Sequence, residues 1–553
     1  MITRRKFLAT GAVGAGIFAF PNALLRPLTA VAAPSFAKVP RFTVPLPIPA
    51  KATAVAPNTY HITQRQTQQT LHPKLGPTTV WGYDDGTLGP LYPGPTIEVH
   101  RGTPTTVRYE NRLPTNHLLP VDTSIVPQGD PTVRTLTHLH GGFVSGAEDG
   151  NPYATEFENE FRLGEIQTVT YPNEQPPATL WYHDHGIAVT KLNVYAGLAA
   201  YYLIRDENDT GVEPNHIGLP GGDFEIPIVL QDRTFSGAGQ LFYPSGWVPE
   251  FFGDTIVVNG APFPFLNVEP RKYRFRFLNG SNSRFYHLTI AGGPPFHHIG
   301  SEGGMFDVPI QTSRILMLPA ERSDVIVDFA GFEGQDLVLK NAKLPSGVVS
   351  PASPNIPNVM KFRVGTSVST PGPSTIPTSL PGSLPSFGPP VRERYITLEE
   401  VLDQDGEPVM SLIDGLTFHE PVNIQVPAGD IEDWLMINLS ADTHPIHLHL
   451  PQFEVVSRRP FDVAGYQTAL DEERAAGRPN PDPAAFYTGG PLPLLTDDRG
   501  FKDTVTANPG VVTRIRSPFD LPPGVAGTQK YVFHCHILEH EDNDMMRPYE
   551  VLG

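Results

Sequence analysis

The stretch Tyr273-Arg274-Phe275-Arg276-Phe277-Leu278-Asn279 alternates aromatic and charged side chains and then stops on an asparagine. A period of two puts one row of side chains on each face of a strand, so this segment reads as β with one apolar face. A turn, Glu269-Pro270-Arg271, leads into it. The same order recurs on either side. Glu98-Val-His-Arg-Gly102 leads to Val107-Arg-Tyr-Glu-Asn111, and Val426-Pro-Ala-Gly429 leads to Trp434-Leu-Met-Ile-Asn438. The three asparagines are separated by the length of a domain, which argues for three related β-sandwiches and against a short solenoid repeat. A chain of 553 residues is too long for one domain, and its 51 Gly and 61 Pro with few long helical patterns suit an all-β architecture.

The chain divides accordingly. A first sandwich is expected over 45–210, closing in the polar, turn-rich run from Arg205 to Gly211, and a second over 220–365. Residues 366–390 are rich in Pro, Ser, Thr and Gly and read as an extended linker. The third sandwich takes 391–553. Within it, 465–500 is irregular, with a short helix expected over Ala469–Ala476 between Pro-rich loops. Such a stretch either frames a substrate entrance or is a surface insertion.

Charge and targeting narrow the classes. The net charge of −18 argues against non-specific binding to nucleic acid. No apolar run reaches the roughly 18 residues of a membrane helix, so no membrane span is expected in the mature form. Residues 1–32 read as a signal peptide of the twin-arginine type. Thr3-Arg4-Arg5-Lys6-Phe7-Leu8 is followed by a short apolar run and by Ala30-Val31-Ala32, a small-residue cleavage site. The expected partner is the twin-arginine export machinery, and the expected location is periplasmic or extracellular. A single cysteine rules out an intramolecular disulfide.

That cysteine lies in His534-Cys535-His536-Ile-Leu-Glu-His540-Glu541-Asp-Asn-Asp-Met545. A thiolate, two imidazoles and a weak axial Met are the donors of a mononuclear blue-copper site. On a strand, Cys535 faces one way and His534 and His536 the other. Three further His-x-His pairs stand at His138/His140, His183/His185 and His447/His449. With His534 and His536 they make eight imidazoles, enough for three ions, while His444 and His540 are left to complete the cysteine site. One such pair alone is commonplace. Four pairs, one of them around the only cysteine, are not. A structural zinc site would need only one compact set of four donors. The middle third has no such pair, and its His287, His297 and His298 read as core or surface residues. The three-ion site is therefore expected between the first and third sandwiches, with the middle one as a spacer and part of the substrate wall.

These motifs, with Trp181-Tyr-His-Asp-His-Gly186 and Leu192-Asn-Val-Tyr-Ala-Gly-Leu198, resemble the multicopper oxidases, the laccase-like family. They are most similar to the branch of spore-coat laccase, phenoxazinone synthase and bilirubin oxidase. The resemblance implies three cupredoxin-like Greek-key β-sandwiches and four copper ions. It implies His444, Cys535, His540 and Met545 at the type 1 copper, and His138 and His447 at type 2. His140, His183, His185, His449, His534 and His536 would hold the type 3 pair. Read locally, Asp149 before Gly150 is a turn residue and Glu541 belongs to an exposed acidic run. The resemblance implies instead that both relay protons. It implies an oxidase that takes single electrons from a small aromatic donor, a phenol or aromatic amine, and reduces O₂ to water. Bilirubin oxidation, cuprous oxidation for copper tolerance and a copper-free structural role are the alternatives. Only eight Met, with no cluster beyond Met545-Met546, count against the cuprous one.

Overall fold

The computed structural model describes residues 36–553, apart from 155–159, 351–352 and 354. The expected export segment at 1–32 lies outside the described residues. The protein is all-β. Among the described residues the strands form six sheets, two for each third of the chain.

The repeated asparagine strand occupies the same place three times. Thr105–Asn111 pairs in parallel with Thr59–Gln69 and antiparallel with Ile166–Tyr171. Lys272–Asn279 pairs in parallel with Glu225–Phe235 and antiparallel with Arg322–Asp328. Ile431–Asn438 pairs in parallel with Arg392–Leu402 and antiparallel with Val511–Pro518. Each asparagine ends its strand for one physical reason. Its Oδ1 accepts the backbone N–H two residues on: Leu113 for Asn111 (3.1 Å), Ser281 for Asn279 (3.0 Å) and Ser440 for Asn438 (2.9 Å). This local bond turns the chain out of the sheet.

Three apolar clusters fill the sandwiches. Tyr83, Val107, Tyr109 and Tyr182 lie in the first, and Phe275, Phe277, Phe296 and Phe362 in the second. The third holds Trp434, Met436, Phe533 and Cys535. The 366–390 segment carries no helix or strand and runs against the middle sandwich, where Arg271 donates to Thr370 O at 2.9 Å.

The helix of the third sandwich spans Val463–Ala475, beginning earlier than the expected Ala469. Asp462 caps it by accepting from Gly465 N. Gly465 lowers helix propensity, which masks this start in the sequence. Its Tyr466 and Leu470 pack with Leu435, Ile437 and Val512. Those residues alternate with the inward Trp434 and Met436, so the helix covers the outer face of that sheet. The Gly146–Asp149 turn of helix docks the first sandwich on the third. A Cβ on Gly146 would sit 2.5 Å from Lys530 O, and Tyr531 donates its hydroxyl to Val144 O at 2.9 Å.

Candidate metal centre

The strand Gln529–Cys535 has two faces with different company. Cys535 pairs with Ile446 in the sheet and turns into the third core. There its Sγ lies 3.6 Å from His444 Nδ1 and 3.7 Å from His540 Nδ1, and these nitrogens are 3.2 Å apart. Met545 is fully buried in the same cluster and tied to it through its main chain. Cys535 N donates to Met545 O and Met545 N to His540 O, both at 2.9 Å. Burial pushes the Cys535 thiol up. Burial pulls His540 down, but its contacts with Cys535 and Glu250 outweigh that and raise it well above the ordinary range. A metal binding here takes the thiolate form and so displaces the thiol proton.

The other face opens on eight buried imidazoles, four from the first sandwich and four from the third. Register sets them. His138 stands opposite His183 on neighbouring strands, and His447 opposite His534. His138 stacks on His449 at 4.0 Å between ring centroids, and His140 on His447 at 3.7 Å. The Nε2 of His534 approaches those of His185 and His449 at 3.3 and 3.2 Å. Overlapping groups have their ligand atoms close enough to share an ion, among them His138/His140/His183, His138/His447/His449 and His185/His449/His534.

Outer hydrogen bonds aim the rings. Nδ1 of His138 donates to Asp149 O (2.7 Å), that of His183 to Asp184 O (2.9 Å) and that of His447 to Asp503 O (2.8 Å). The Nε2 atoms of these three rings are buried and have no hydrogen-bond partner among the described residues. His140 is turned the other way, with Nε2 3.3 Å from Asp503 Oδ1 and Nδ1 partnerless. Neither nitrogen of His536 has a hydrogen-bond partner among the described residues. An unpaired buried polar atom costs about 1–3 kcal/mol, so several together mark a site built for something that accepts their lone pairs. Burial first, then neighbouring imidazoles, lower His138, His140, His183 and His449, and His447 to about 3. Burial brings His185 and His534 to about 4. The rings are neutral, which is the metal-binding form. Neutral imidazoles on one side and a thiolate with imidazoles on the other suit copper.

Both acidic residues singled out in the sequence border this pocket. Asp149 Oδ2 accepts from His449 Nδ1 at 2.7 Å, and burial raises its carboxyl to about 8. A Cβ on Gly150, whose φ is +75°, would sit 2.0 Å from Thr137 O, so only glycine lets this turn close on the His138 strand. Glu541 lies 3.4 Å from His185 Nδ1 and 3.1 Å from His534 Nδ1, and burial raises it to about 8. The reading of Glu541 as part of an exposed acidic run fails: Glu539, Glu541 and Asp542 are all buried, because Asp542 accepts from Thr190 N, Lys191 N and Lys191 Nζ of the first sandwich.

The middle sandwich is more than a spacer. Its Tyr243, Asn282 and Ser283 donate to the Glu539 carboxylate at 2.7, 2.9 and 2.5 Å, and Trp247 Nε1 donates to Glu539 O at 2.8 Å. These bonds hold the loop between His536 and His540. Glu250 Oε1 lies 3.3 Å from His540 Nε2, the edge turned away from Cys535. Beside it in sequence, Trp247 and Pro249 line a cleft of about 340 Å³ with Asp122, Pro408, Val409 and Asn543. Sequence reasoning missed Glu250, Glu539, Asp503 and Arg322. Glu250, Asp503 and Arg322 sit in no recurring motif, and Glu539, inside the cysteine motif, reads as one more acidic residue of its run.

Two sequence families, both described as multicopper oxidase, match residues 65–209 and 390–552. A laccase of Bacillus subtilis (strain 168) is 39% identical over 513 residues, covering 89% of this chain and 94% of that protein. A laccase of Bacillus stratosphericus is 40% identical over 540 residues, covering 93% and 99%. Among solved structures, the McoA multicopper oxidase of the hyperthermophile Aquifex aeolicus superposes with a TM-score of 0.74 at 27% identity, over 93% of this chain and 100% of that one.

Proposed function

The chain belongs to the multicopper oxidase family, and from that premise we propose how its residues divide the work of a laccase-like oxidase acting on phenolic donors with O₂. In this reading four coppers bind. His444, Cys535, His540 and Met545 hold type 1, His138 and His447 hold type 2, and His140, His183, His185, His449, His534 and His536 hold the type 3 pair. Copper bound there supplies one-electron oxidation of the donor and four-electron reduction of O₂ to two waters. The observation that carries the reading is the two-faced strand: Cys535 meets His444 and His540 on one side, and its covalent neighbours His534 and His536 enter the eight-imidazole pocket on the other.

The remaining residues handle protons and access. The His540 ring is fully buried with Glu250 against its Nε2, so in this reading a donor approaches by way of Glu250, the residue after Pro249 of the cleft. A phenol losing an electron must also lose its proton, and Glu250 Oε1 is placed to take it. At neutral pH the raised Glu541 and Asp149 carboxyls carry protons beside His185, His534 and His449. They can give them up where O₂ is reduced. Complete, buried donor sets favour this reading over a copper-free structural role. Export by the twin-arginine route belongs to the same proposal, supported by Thr3-Arg4-Arg5-Lys6-Phe7-Leu8 and the apolar run after it.

The test is oxygen uptake by the copper-loaded chain against a panel of phenols, aromatic amines, bilirubin and Cu(I). The expected result is a blue protein that consumes one O₂ for every four one-electron donors, with phenols among its substrates. A colourless chain, or O₂ uptake only with Cu(I), would overturn it.

A further inference from the structure

Lys502 and Asp503 are adjacent, opposite in charge and each only 2% exposed. The middle sandwich meets them with the reversed pattern. Lys502 Nζ donates to Glu302 Oε1 and Glu321 Oε1, both at 3.1 Å. Arg322 forks onto Asp503, Nη1 to Oδ1 at 2.9 Å and Nη2 to Oδ2 at 2.5 Å. Arg322 also donates from Nε to Thr179 O at 3.0 Å, at the start of the strand that carries His183. One guanidinium thus touches all three sandwiches.

Asp503 passes that contact on to the pocket. Its main-chain oxygen accepts from His447 Nδ1 at 2.8 Å, and its Oδ1 lies 3.3 Å from the Nε2 of His140, the ring oriented opposite to its neighbours. The chain makes room for this pair. Gly141, directly after His140, has φ +83°, and a Cβ there would lie 2.7 Å from both Arg322 Nη2 and Asp503 Oδ2.

We propose that Arg322, from the sandwich that holds no ligand, is a positioning residue of the three-ion site, fixing His447 and His140 through Asp503 and so governing retention of the type 2 ion. The proposal rests on the copper reading above. A bidentate fork holds a carboxylate in one plane, which a lysine ammonium does not. Groups that orient metal-bound histidines are worth about 10- to 100-fold in metal affinity. Were the cluster only glue between sandwiches, its loss would lower thermal stability and loosen all three ions of the imidazole pocket alike.

The test compares copper-loaded wild type, Arg322→Lys and Arg322→Gln during titration with a chelator. Copper per chain, the blue thiolate band and the type 2 electron paramagnetic resonance signal are followed together. The expected result is loss of the type 2 signal and of one copper per chain at about 10- to 100-fold lower chelator in Arg322→Gln, with the blue band and the other coppers kept, and an intermediate effect in Arg322→Lys. If Arg322→Gln does not fold, the Arg322→Met/Asp503→Asn pair, which removes both buried charges, is read by the same criteria alongside Arg322→Lys. Parallel loss of both signals, loss of three coppers together with the type 2 signal, or a type 2 signal as chelator-resistant as in wild type, overturns the proposal. A wild-type chain that takes up no copper overturns the copper reading itself, whereas a loaded wild type with insensitive variants overturns only the role of Arg322.

Discussion

The two sides of the strand Gln529–Cys535 are built by different rules. Around Cys535 all the sequence-expected donors, His444, His540 and Met545, come from the last third of the chain and sit in one core. Across the strand, the imidazole pocket is an interface. Half of its rings come from the first sandwich and half from the third, and Arg322 of the middle one reaches its edge through Asp503. A site inside one core survives what loosens the packing of sandwiches, and a site made between them does not. The donors of the blue site should thus stay together, with the His540 loop braced by the middle sandwich, whereas those of the three-ion site depend on the assembled chain.

The largest effect expected is from Cys535→Ser. The blue band and donor oxidation vanish, while the type 2 resonance signal persists, because the pocket owes nothing to the thiolate. Simultaneous loss of both signals would break the distinction between the faces. The converse change, His138→Ala, should abolish O₂ uptake and leave the blue band intact, as checked by absorption and oxygen-electrode measurements. Next comes Glu541→Gln, expected to slow O₂ turnover about 10²- to 10⁴-fold with no change in single-turnover reduction of the blue band by donor. Glu541 is raised to about 8, so its proton is present below that pH. The wild-type O₂ rate should therefore fall as pH rises past about 8, and the variant should lack that limb of the profile.

Acid sharpens the comparison without mutation. His447 at about 3, and His185 and His534 at about 4, lie below the ordinary histidine value. Their folded forms bind protons more weakly than the unfolded chain, so the copper-free protein should lose stability as pH falls from about 6.5 toward 4. Each tenfold weakening of a ring's proton affinity on folding costs roughly 1.4 kcal/mol once that ring is protonated in the unfolded chain. Asp149 is raised instead, so its contribution is lost in the opposite direction, as pH rises toward about 8. Melting temperature against pH, with and without copper, checks both signs. The smallest effect expected is that of Glu250→Gln, about tenfold in kcat/KM for phenols and none for donors that carry no proton. Equal losses with both donor types would remove Glu250 from proton transfer.

What the sequence could disclose follows the same divide. The His-x-His pairs and the asparagine strands were legible because period-two spacing writes a strand's face directly into neighbouring residues. The Asx bond at Asn111, Asn279 and Asn438 is equally local. Glu250 and Arg322 left no such mark. Their partners His540 and Asp503 stand 290 and 181 residues away, and a lone Glu or Arg in a loop or strand has no spacing to read. The burial of Glu541 was hidden by its acidic neighbours, since Lys191 and Asn282, which satisfy Asp542 and Glu539, belong to other sandwiches. The middle third showed no ligand motif for the same reason: it contributes single side chains with no spacing to read.

Anomalous scattering at the copper edge from crystals of the loaded protein tests the central claim most directly. Four peaks are expected, one among Cys535, His444 and His540 and three within the eight imidazoles on the opposite face of the strand. A single peak at Cys535 with nothing across the strand, or copper found only outside these two sets of donors, would contradict it.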